Sequence, residues 1–207
     1  MLIVKVKICG ITNYQDAQTA VDMGADIIGI NFYPESPRYV EPEKAAEFIK
    51  KLPAFVVICG VFVNADSDWI RNAIDKCQLD WIQLHGDESP EFCEKFNSFS
   101  VRTIKAIRVK DENDIALTDK YFTDAVLLDA FDPEKYGGTG FTFDWNLLGH
   151  ITRRVFLAGG IKPENAAEAV KTGVWGIDVC SGIESEPGKK DHEKMKLLFE
   201  NIKHLKG

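Results

Sequence analysis

The sequence predicts an α/β protein that folds as a single-domain (β/α)8 barrel, a TIM barrel, over residues 1–207. Eight short runs rich in β-branched residues recur along the chain, and helical patterns separate them. Continuous apolar runs of this length are typical of parallel strands that are covered on both faces. The competing fold is an open doubly wound sheet, but no G-x-G-x-x-G motif follows the first run to favour it.

The eight predicted strands are spaced so that a helical pattern lies between successive runs. They cover residues 2–9, 26–32, 55–63, 81–85, 103–107, 125–130, 155–159 and 176–180. About 200 residues is near the lower size limit for eight strand–helix units, so the barrel should be compact. Neither a linker nor a low-complexity stretch interrupts the series.

Several of the intervening helices have recognisable ends. Thr12 or Asn13 is placed to cap a helix that runs through residues 16–24. Prolines favour the first turn of a helix, and three occur near predicted starts: Pro42, Pro90 and Pro163. Gly24 and Gly173 fall where two helices are expected to stop.

Composition bounds the partners of this chain. Hydrophobic residues make up 45% and charged residues 28%, which is typical of a soluble globular protein. The net charge of −7 argues against a broad nucleic-acid surface but is compatible with a small anionic substrate. No apolar run approaches the roughly 20 residues of a membrane span, and the first ten residues do not resemble a signal peptide. We therefore expect a cytoplasmic protein and, by default, a monomer.

The cysteines and histidines give no metal or disulfide pattern. Five cysteines form an odd number without a C-x-x-C pair, so disulfides are not expected in a reducing compartment. Cys59, Cys77 and Cys93 are interpreted as small buried apolar residues. The four histidines are widely spaced, and we predict neither a metal site nor a cofactor.

Polar residues recur at the ends of the predicted strands, where barrel enzymes build their active sites. They are Cys9, Asn64, His85, Asp129, Asp178 and Ser181. Any one of them could simply end a strand, but several in the same position on successive strands should converge on one opening. Because side chains alternate between the two faces of a strand, Lys7 should share the barrel interior with Cys9. A buried lysine needs a partner, so we predict that Lys7 pairs with Asp178 or Asp129.

Two glycine-rich stretches follow the last two strands, at residues 158–165 and 180–188. Loops at these places often bind phosphate in barrels, although such glycines can also serve only to turn the chain. A third stretch, at residues 137–140, is interpreted as a loop on the substrate side. Arg38 follows the second strand, either as a solvated surface residue or as a clamp for a carboxylate.

Seven groups of motifs, in order along nearly the whole chain, resemble the phosphoribosylanthranilate isomerase family. They are KICGIT (7–12), SPRY (36–39), GVFVN (60–64), QLHGDE (83–88), LLDA (127–130) with GGTGFTFDW (137–145), LAGGIKPEN (157–165) and DVCSGIESEPGKKD (178–191). The resemblance implies a TIM-barrel isomerase of tryptophan biosynthesis that carries out an Amadori rearrangement without a cofactor. Its expected partner is a small phosphorylated substrate.

The resemblance also assigns roles to individual residues. Cys9 in KICG matches the general base, and Asp129 in LLDA matches the general acid. Arg38 matches the group that binds the anthranilate carboxylate, and two residues match the lining of the substrate pocket: His85 and Asp178. Backbone groups of four residues are expected to bind the phosphate: Gly159, Gly160, Ser181 and Gly182. Cys180 departs from the family pattern, which usually has serine there, and adds a second thiol near the site.

The implied chemistry explains why one acid and one base are needed. Opening the ribofuranose ring requires a proton on its oxygen, and enolisation requires a base at C2′. Cys9 must therefore lose its proton while Asp129 keeps one, and we predict that Lys7 favours the Cys9 thiolate. Two alternatives remain open: a related phosphoribosyl-sugar isomerase or synthase, and a barrel that binds a phosphorylated ligand without turning it over.

Overall fold

The computed structural model describes residues 4–131, 142–149 and 153–205. Within these ranges, eight parallel strands close into one barrel in chain order, with β8 paired to β1. The strands are β1 (Lys5–Ile8), β2 (Ile27–Asn31), β3 (Val57–Phe62), β4 (Trp81–Leu84), β5 (Arg102–Val109), β6 (Ala125–Ala130), β7 (Val155–Leu157) and β8 (Gly176–Val179). Every one of them lies in or overlaps a predicted run, so the predicted (β/α)8 architecture is confirmed.

Helices cover the outside of the barrel. They are α1 (Tyr14–Asp22), α2 (Pro42–Ile49), α3 (Ser67–Cys77), α4 (Pro90–Glu94), α5 (Glu112–Ala116), α6 (Ala166–Lys171) and α7 (His192–Ile202). A short hairpin, β9 (Glu184–Glu186) with β10 (Lys189–Lys190), follows β8 and was not predicted. In the part of the chain that the structure describes, every helix is too short or too polar to cross a membrane.

The helix ends follow the sequence signals closely. The side chain of Asn13, one of the two predicted caps, accepts a hydrogen bond from the Asp16 amide at the start of α1. Gly24 comes directly after the last turn of α1 with a φ of +103°, a conformation that costs glycine little. Pro163, in contrast, lies in the turn before α6 rather than in its first turn.

Strand alternation divides the core into two layers. Val6 and Ile8 of β1 are fully buried in the larger apolar layer between the strands and the helices. The second layer fills the barrel interior, and its aromatic residues Trp81, Phe156 and Trp175 contact one another with centroid distances of 5.0–6.3 Å. Because these rings occupy the amino-terminal part of the interior, the free space lies at the carboxyl ends of the strands.

Candidate active site

A cavity of about 420 Å³ opens at the carboxyl ends of the barrel strands. Most of the residues that the sequence singled out contribute to its wall: Cys9, Arg38, His85, Asp129, Gly159, Gly160, Asp178 and Ser181. Apolar side chains, among them Val61 and Ile161, line the rest. Polar groups from six different strands and loops thus converge on one pocket, as expected for the active site of a barrel.

Of the described residues that form the cavity wall, Ser181 is one, but Gly182 and the predicted strand-end residue Asn64 are not. A methyl group on Gly182 would clash with the carbonyl oxygen of Ile161, in the loop after β7. The loops after β7 and β8 are therefore packed backbone to backbone. This contact explains the glycine without requiring that it touch a ligand.

Lys7 and Asp178 form a buried ion pair directly beneath the cavity. The Nζ and Oδ1 atoms lie 3.0 Å apart, and the side chains are 0% and 6% exposed. Burial alone would lower the pKa of Lys7, but Asp178, together with Cys9 and Cys59, holds it above its ordinary value. The pairing predicted for Lys7 is confirmed, with Asp178 rather than Asp129 as the partner.

Cys9 ends β1 and is fixed to the neighbouring strands. Its amide donates to the carbonyl of Val179 over 2.9 Å. Gly29 on β2 leaves space beside it, since a Cβ there would lie 2.9 Å from the Cys9 sulphur and 3.1 Å from the Lys7 ammonium. The absence of a side chain at Gly29 therefore lets the thiol and the ammonium approach the same point.

The pKa of Cys9 is raised well above its ordinary value. The largest cause is the hydrogen bond between its thiol and that of Cys180, followed by burial; Lys7 acts in the opposite direction, and Asp178 adds to the rise. The expectation that Lys7 favours the thiolate has the correct sign. The ammonium is nevertheless outweighed by the interaction with Cys180 and by burial, so the net shift of the Cys9 pKa is upward.

Asp129, near the end of β6, lies beside three residues: Ala130, Gly159 and His85. Its Oδ1 accepts from the amide of Ala130 over 2.9 Å, and a Cβ on Gly159 would be 2.9 Å from the same oxygen. Its Oδ2 lies 3.2 Å from Nε2 of His85, without the alignment of a hydrogen bond. On the far side of the ring, Nδ1 of His85 is 2.7 Å from the side-chain amide of Gln83.

Gln83 was missed by the sequence reasoning, although its position could have revealed it. It lies two residues before His85 on β4, so both side chains face the barrel interior. The side chain of Gln83 is completely buried, and only its contact with the imidazole accounts for a polar residue at that depth. A buried amide next to Nδ1 determines which ring nitrogen of His85 carries the proton.

Arg38 is held over the cavity by a partner that the sequence reasoning also missed. Its guanidinium donates to Glu184 of β9 from two nitrogens, over 2.7–3.2 Å, while Lys190 of β10 lies 2.9 Å from Oε1 of the same carboxylate. Burial would raise the pKa of Glu184, but hydrogen bonds from Arg38 and the charge of Lys190 lower it. Arg38 is therefore not a solvated surface residue; its position is fixed by the hairpin after β8.

Two sequence interpretations concern other parts of the site. The predicted substrate-side loop at 137–140 lies outside the described residues. Across residues 4–131, 142–149 and 153–205, no group of three or more His, Cys, Asp or Glu side chains is placed to hold a metal ion.

Comparison with known proteins identifies the family. A family model described as N-(5'phosphoribosyl)anthranilate (PRA) isomerase matches residues 6–201. The N-(5'-phosphoribosyl)anthranilate isomerase of Geotalea uraniireducens is 46% identical over 204 residues, which cover 97% of this chain and 99% of that protein.

Solved structures agree with this assignment. Monomers generated from the dimeric phosphoribosylanthranilate isomerase of Thermotoga maritima superpose with a TM-score of 0.87 at 39% identity, covering 97% of this chain and 99% of that one. A phosphoribosyl anthranilate isomerase in complex with reduced 1-(o-carboxyphenylamino)-1-deoxyribulose 5-phosphate gives a TM-score of 0.86 at 39% identity, with the same coverage of 97% and 99%. The resemblance inferred from the motifs is thus confirmed: the chain belongs to the N-(5'-phosphoribosyl)anthranilate isomerase family.

Proposed function

We propose that this chain converts N-(5-phosphoribosyl)anthranilate to 1-(2-carboxyphenylamino)-1-deoxyribulose 5-phosphate, a step of tryptophan biosynthesis, as a single catalytic domain. The observation that carries the proposal is the placement of Cys9 and Asp129 on the wall of one cavity. Membership of the isomerase family supports it, as does the match to a relative solved with a reduced form of the product.

The proposed reaction needs two proton transfers at different atoms of the substrate. Asp129 donates a proton to the furanose oxygen, and the ring opens to an iminium at C1′. Cys9 then removes the proton from C2′, and the resulting enolamine tautomerises to the ketone. Each transfer typically contributes about 10²–10⁴-fold in rate. Because both steps are proton transfers, we propose that the reaction requires no metal or redox cofactor.

The resting thiol must lose its proton before it can act as the base. Lys7 is a buried cation that acts on the Cys9 thiol, and its ion pair with Asp178 fixes its position. We propose that Lys7 stabilises the Cys9 thiolate when it forms, and that the hydrogen bond with Cys180 is broken or reversed on the way. The free energy of this step is part of the barrier that the enzyme must overcome.

The substrate-binding roles follow from the layout of the wall. We propose that Arg38, positioned by Glu184, binds the anthranilate carboxylate, and that His85 and Asp178 contact the ribose portion. Backbone N–H groups of the two loops after β7 and β8 are proposed to hold the phosphate; their members are Gly159, Gly160, Ser181 and Gly182. We propose that Gly182 binds the phosphate through its backbone N–H, since its Cα is packed against the loop after β7.

The loss of phosphoribosylanthranilate fluorescence provides a direct test. The wild-type protein should consume the substrate, whereas Cys9→Ser and Asp129→Asn should each lose at least about 10²-fold in kcat. Cys77→Ser is the matched control, because Cys77 is a buried thiol of α3 on the outside of the barrel. Near-wild-type turnover by either active-site variant would remove that residue from its role.

Complementation separates the proposed function from its two alternatives. A related isomerase of a different pathway, or a barrel that only binds a phosphorylated ligand, should fail to restore growth of an isomerase-deficient tryptophan auxotroph. Restoration by the wild type but not by Asp129→Asn supports the proposed function. Failure of the wild-type protein, when it is expressed and folded, would contradict it.

The monomer and the cytoplasmic location inferred from the sequence stay predictions. Phe55 is 80% exposed and borders a groove of about 340 Å³ lined in part by Val57, Trp81 and Trp175. This is an apolar patch of the kind that a dimer would bury. Light scattering after size exclusion decides the question: the mass of one chain supports the monomer, and the mass of two chains contradicts it.

A further inference from the structure

Cys9 and Cys180 are neighbours across the β1–β8 pairing that closes the barrel. Lys7 pairs with Asp178 and Ile8 with Val179, so the next residues of the two strands stand side by side. Both cysteines line the cavity, and each thiol shifts the pKa of the other. The site therefore holds a pair of adjacent thiols that both face the space a small molecule would enter.

The surroundings of Cys180 favour its thiolate. The Lys190 ammonium lies 3.9 Å from its sulphur, and the Arg38 guanidinium is also close; the Glu184 carboxylate, at 3.9 Å, opposes them. The hydrogen bond from Cys9 is the largest cause that lowers the pKa of Cys180, which falls to about 7 despite burial. Among the five cysteines, Cys180 is therefore the one whose thiolate forms most readily.

The remaining cysteines lack these features. Burial raises the pKa of Cys59 to about 12 and the pKa values of Cys77 and Cys93 to about 11. All three are buried free thiols. Only the thiolate reacts readily with oxidants, so oxidation should begin at Cys180.

We propose that Cys9 and Cys180 form a hydroperoxide-reactive dithiol that closes to a disulfide and reversibly switches off the isomerase. The disulfide itself does not depend on the proposed function. The loss of activity on oxidation does rest on the proposed function, because the S–S bond would occupy the Cys9 sulphur that we assign as the general base.

The proposed oxidation has two steps. The Cys180 thiolate attacks one oxygen of a hydroperoxide; the O–O bond breaks, the alcohol or water leaves after taking a proton, and Cys180 becomes a sulphenic acid. The Cys9 sulphur then attacks the Cys180 sulphur, an S–S bond forms, and the S–O bond breaks. Water leaves with the Cys9 proton. The two thiols together lose two hydrogen atoms, and the hydroperoxide is reduced by two electrons.

The pairing of β1 with β8 places the two cysteines at a separation compatible with this bond. Paired neighbouring strands lie about 4.8 Å apart, within the roughly 4.4–6.8 Å between Cα atoms that disulfides span. Both side chains point to the same cavity, so their Cβ atoms face a common space. A serine in place of Cys180 would keep the size and polarity of the side chain but could not form the bond.

The test combines peptide mapping with activity. The reduced wild-type protein is treated with hydrogen peroxide, digested without reductant and analysed by mass spectrometry. We expect a peptide in which Cys9 and Cys180 are linked, a loss of at least tenfold in turnover, and recovery of most activity with dithiothreitol. Cys180→Ser should give neither the linked peptide nor a dithiothreitol-recoverable loss. Cys77→Ser, the matched control, should behave as wild type.

Two outcomes would overturn the inference. One is oxidised wild-type protein in which Cys180 carries sulphenic or sulphinic acid but no peptide links it to Cys9. The other is Cys180→Ser protein that loses and regains activity at the wild-type rate. Mapping the wild-type protein is informative even if the variant folds poorly. Failure of the proposed function would show instead as a reduced protein without turnover, with the linked peptide still forming.

Discussion

Replacing Lys7 with methionine tests the buried ion pair beneath the active site. Methionine keeps most of the length and apolar volume of the side chain but removes the charge. At 3.0 Å and an effective dielectric constant of about 20, the attraction between Lys7 and Asp178 amounts to roughly 5.5 kcal/mol. Part of that offsets the cost of taking both charges out of water. Breaking such a pair and leaving one buried charge typically costs about 3–5 kcal/mol.

Urea unfolding followed by tryptophan fluorescence measures this cost. With a urea m-value of about 2 kcal/mol per molar, the midpoint of Lys7→Met should fall by roughly 1.5–2.5 M. Lys5→Met is the matched control, because Lys5 lies on the same strand and pairs with Asp26 at 2.9 Å but is 38% exposed. Its loss should cost about 1 kcal/mol or less, since water screens exposed pairs.

The double variant Lys7→Met with Asp178→Asn should recover a substantial part of the loss, since it leaves no uncompensated charge. The folded fraction of Lys7→Met should also turn over more slowly, because the cation beside Cys9 is gone. A destabilisation no larger than that of Lys5→Met would refute the reasoning. So would additive effects of the two changes in the double variant, because the pair would then have no coupling.

Three further changes probe other parts of the site. Gly159→Ala places a methyl group on a residue with a φ of +83° and pushes it against the Asp129 carboxylate. Urea unfolding should show that the free energy of unfolding falls by about 1–3 kcal/mol, and steady-state assays should show a roughly tenfold or greater fall in kcat. Gln83→Leu removes the amide that positions the imidazole of His85 beside Asp129, so kcat should fall by a larger factor than KM changes. Glu184→Gln removes a carboxylate whose pKa is lower in the folded protein than in the unfolded chain. The Glu184 carboxylate stabilises the fold above the unfolded pKa of about 4.3, and this contribution is lost as the pH falls. In urea unfolding, the free energy of unfolding of Glu184→Gln should therefore be lower than that of wild type near pH 7, and the difference should shrink below about pH 4.

Each of these expectations has a contrary result. Wild-type kcat in Gly159→Ala would mean that the loop after β7 can move away from the acid without consequence. An unchanged kcat in Gln83→Leu would show that the amide does not position the imidazole. A stability deficit of Glu184→Gln that stays constant with pH would mean that lost packing, rather than lost charge, causes it.

The sequence by itself determined the barrel fold and many of the residues that line the cavity at the carboxyl ends of its strands. Apolar runs and helix caps are local signals, because neighbouring residues on one strand or in one helical turn produce them. Alternation along the first strand was enough to place Lys7 and Cys9 on the interior face and to narrow the partner of Lys7 to Asp178 or Asp129. The motifs that point to Cys9 and Asp129 each lie at the end of a single strand, so they could be recognised from the sequence alone.

Only the tertiary structure decided how groups from distant segments meet. Cys9 and Cys180 are 171 positions apart, and they contact each other because β8 closes the barrel against β1. Arg38 and Glu184 are separated by 146 positions, and their ion pair depends on a hairpin that no local pattern had indicated. The physical reason is the same in each case: contact energies and pKa shifts depend on distances between side chains in space, and barrel closure sets those distances.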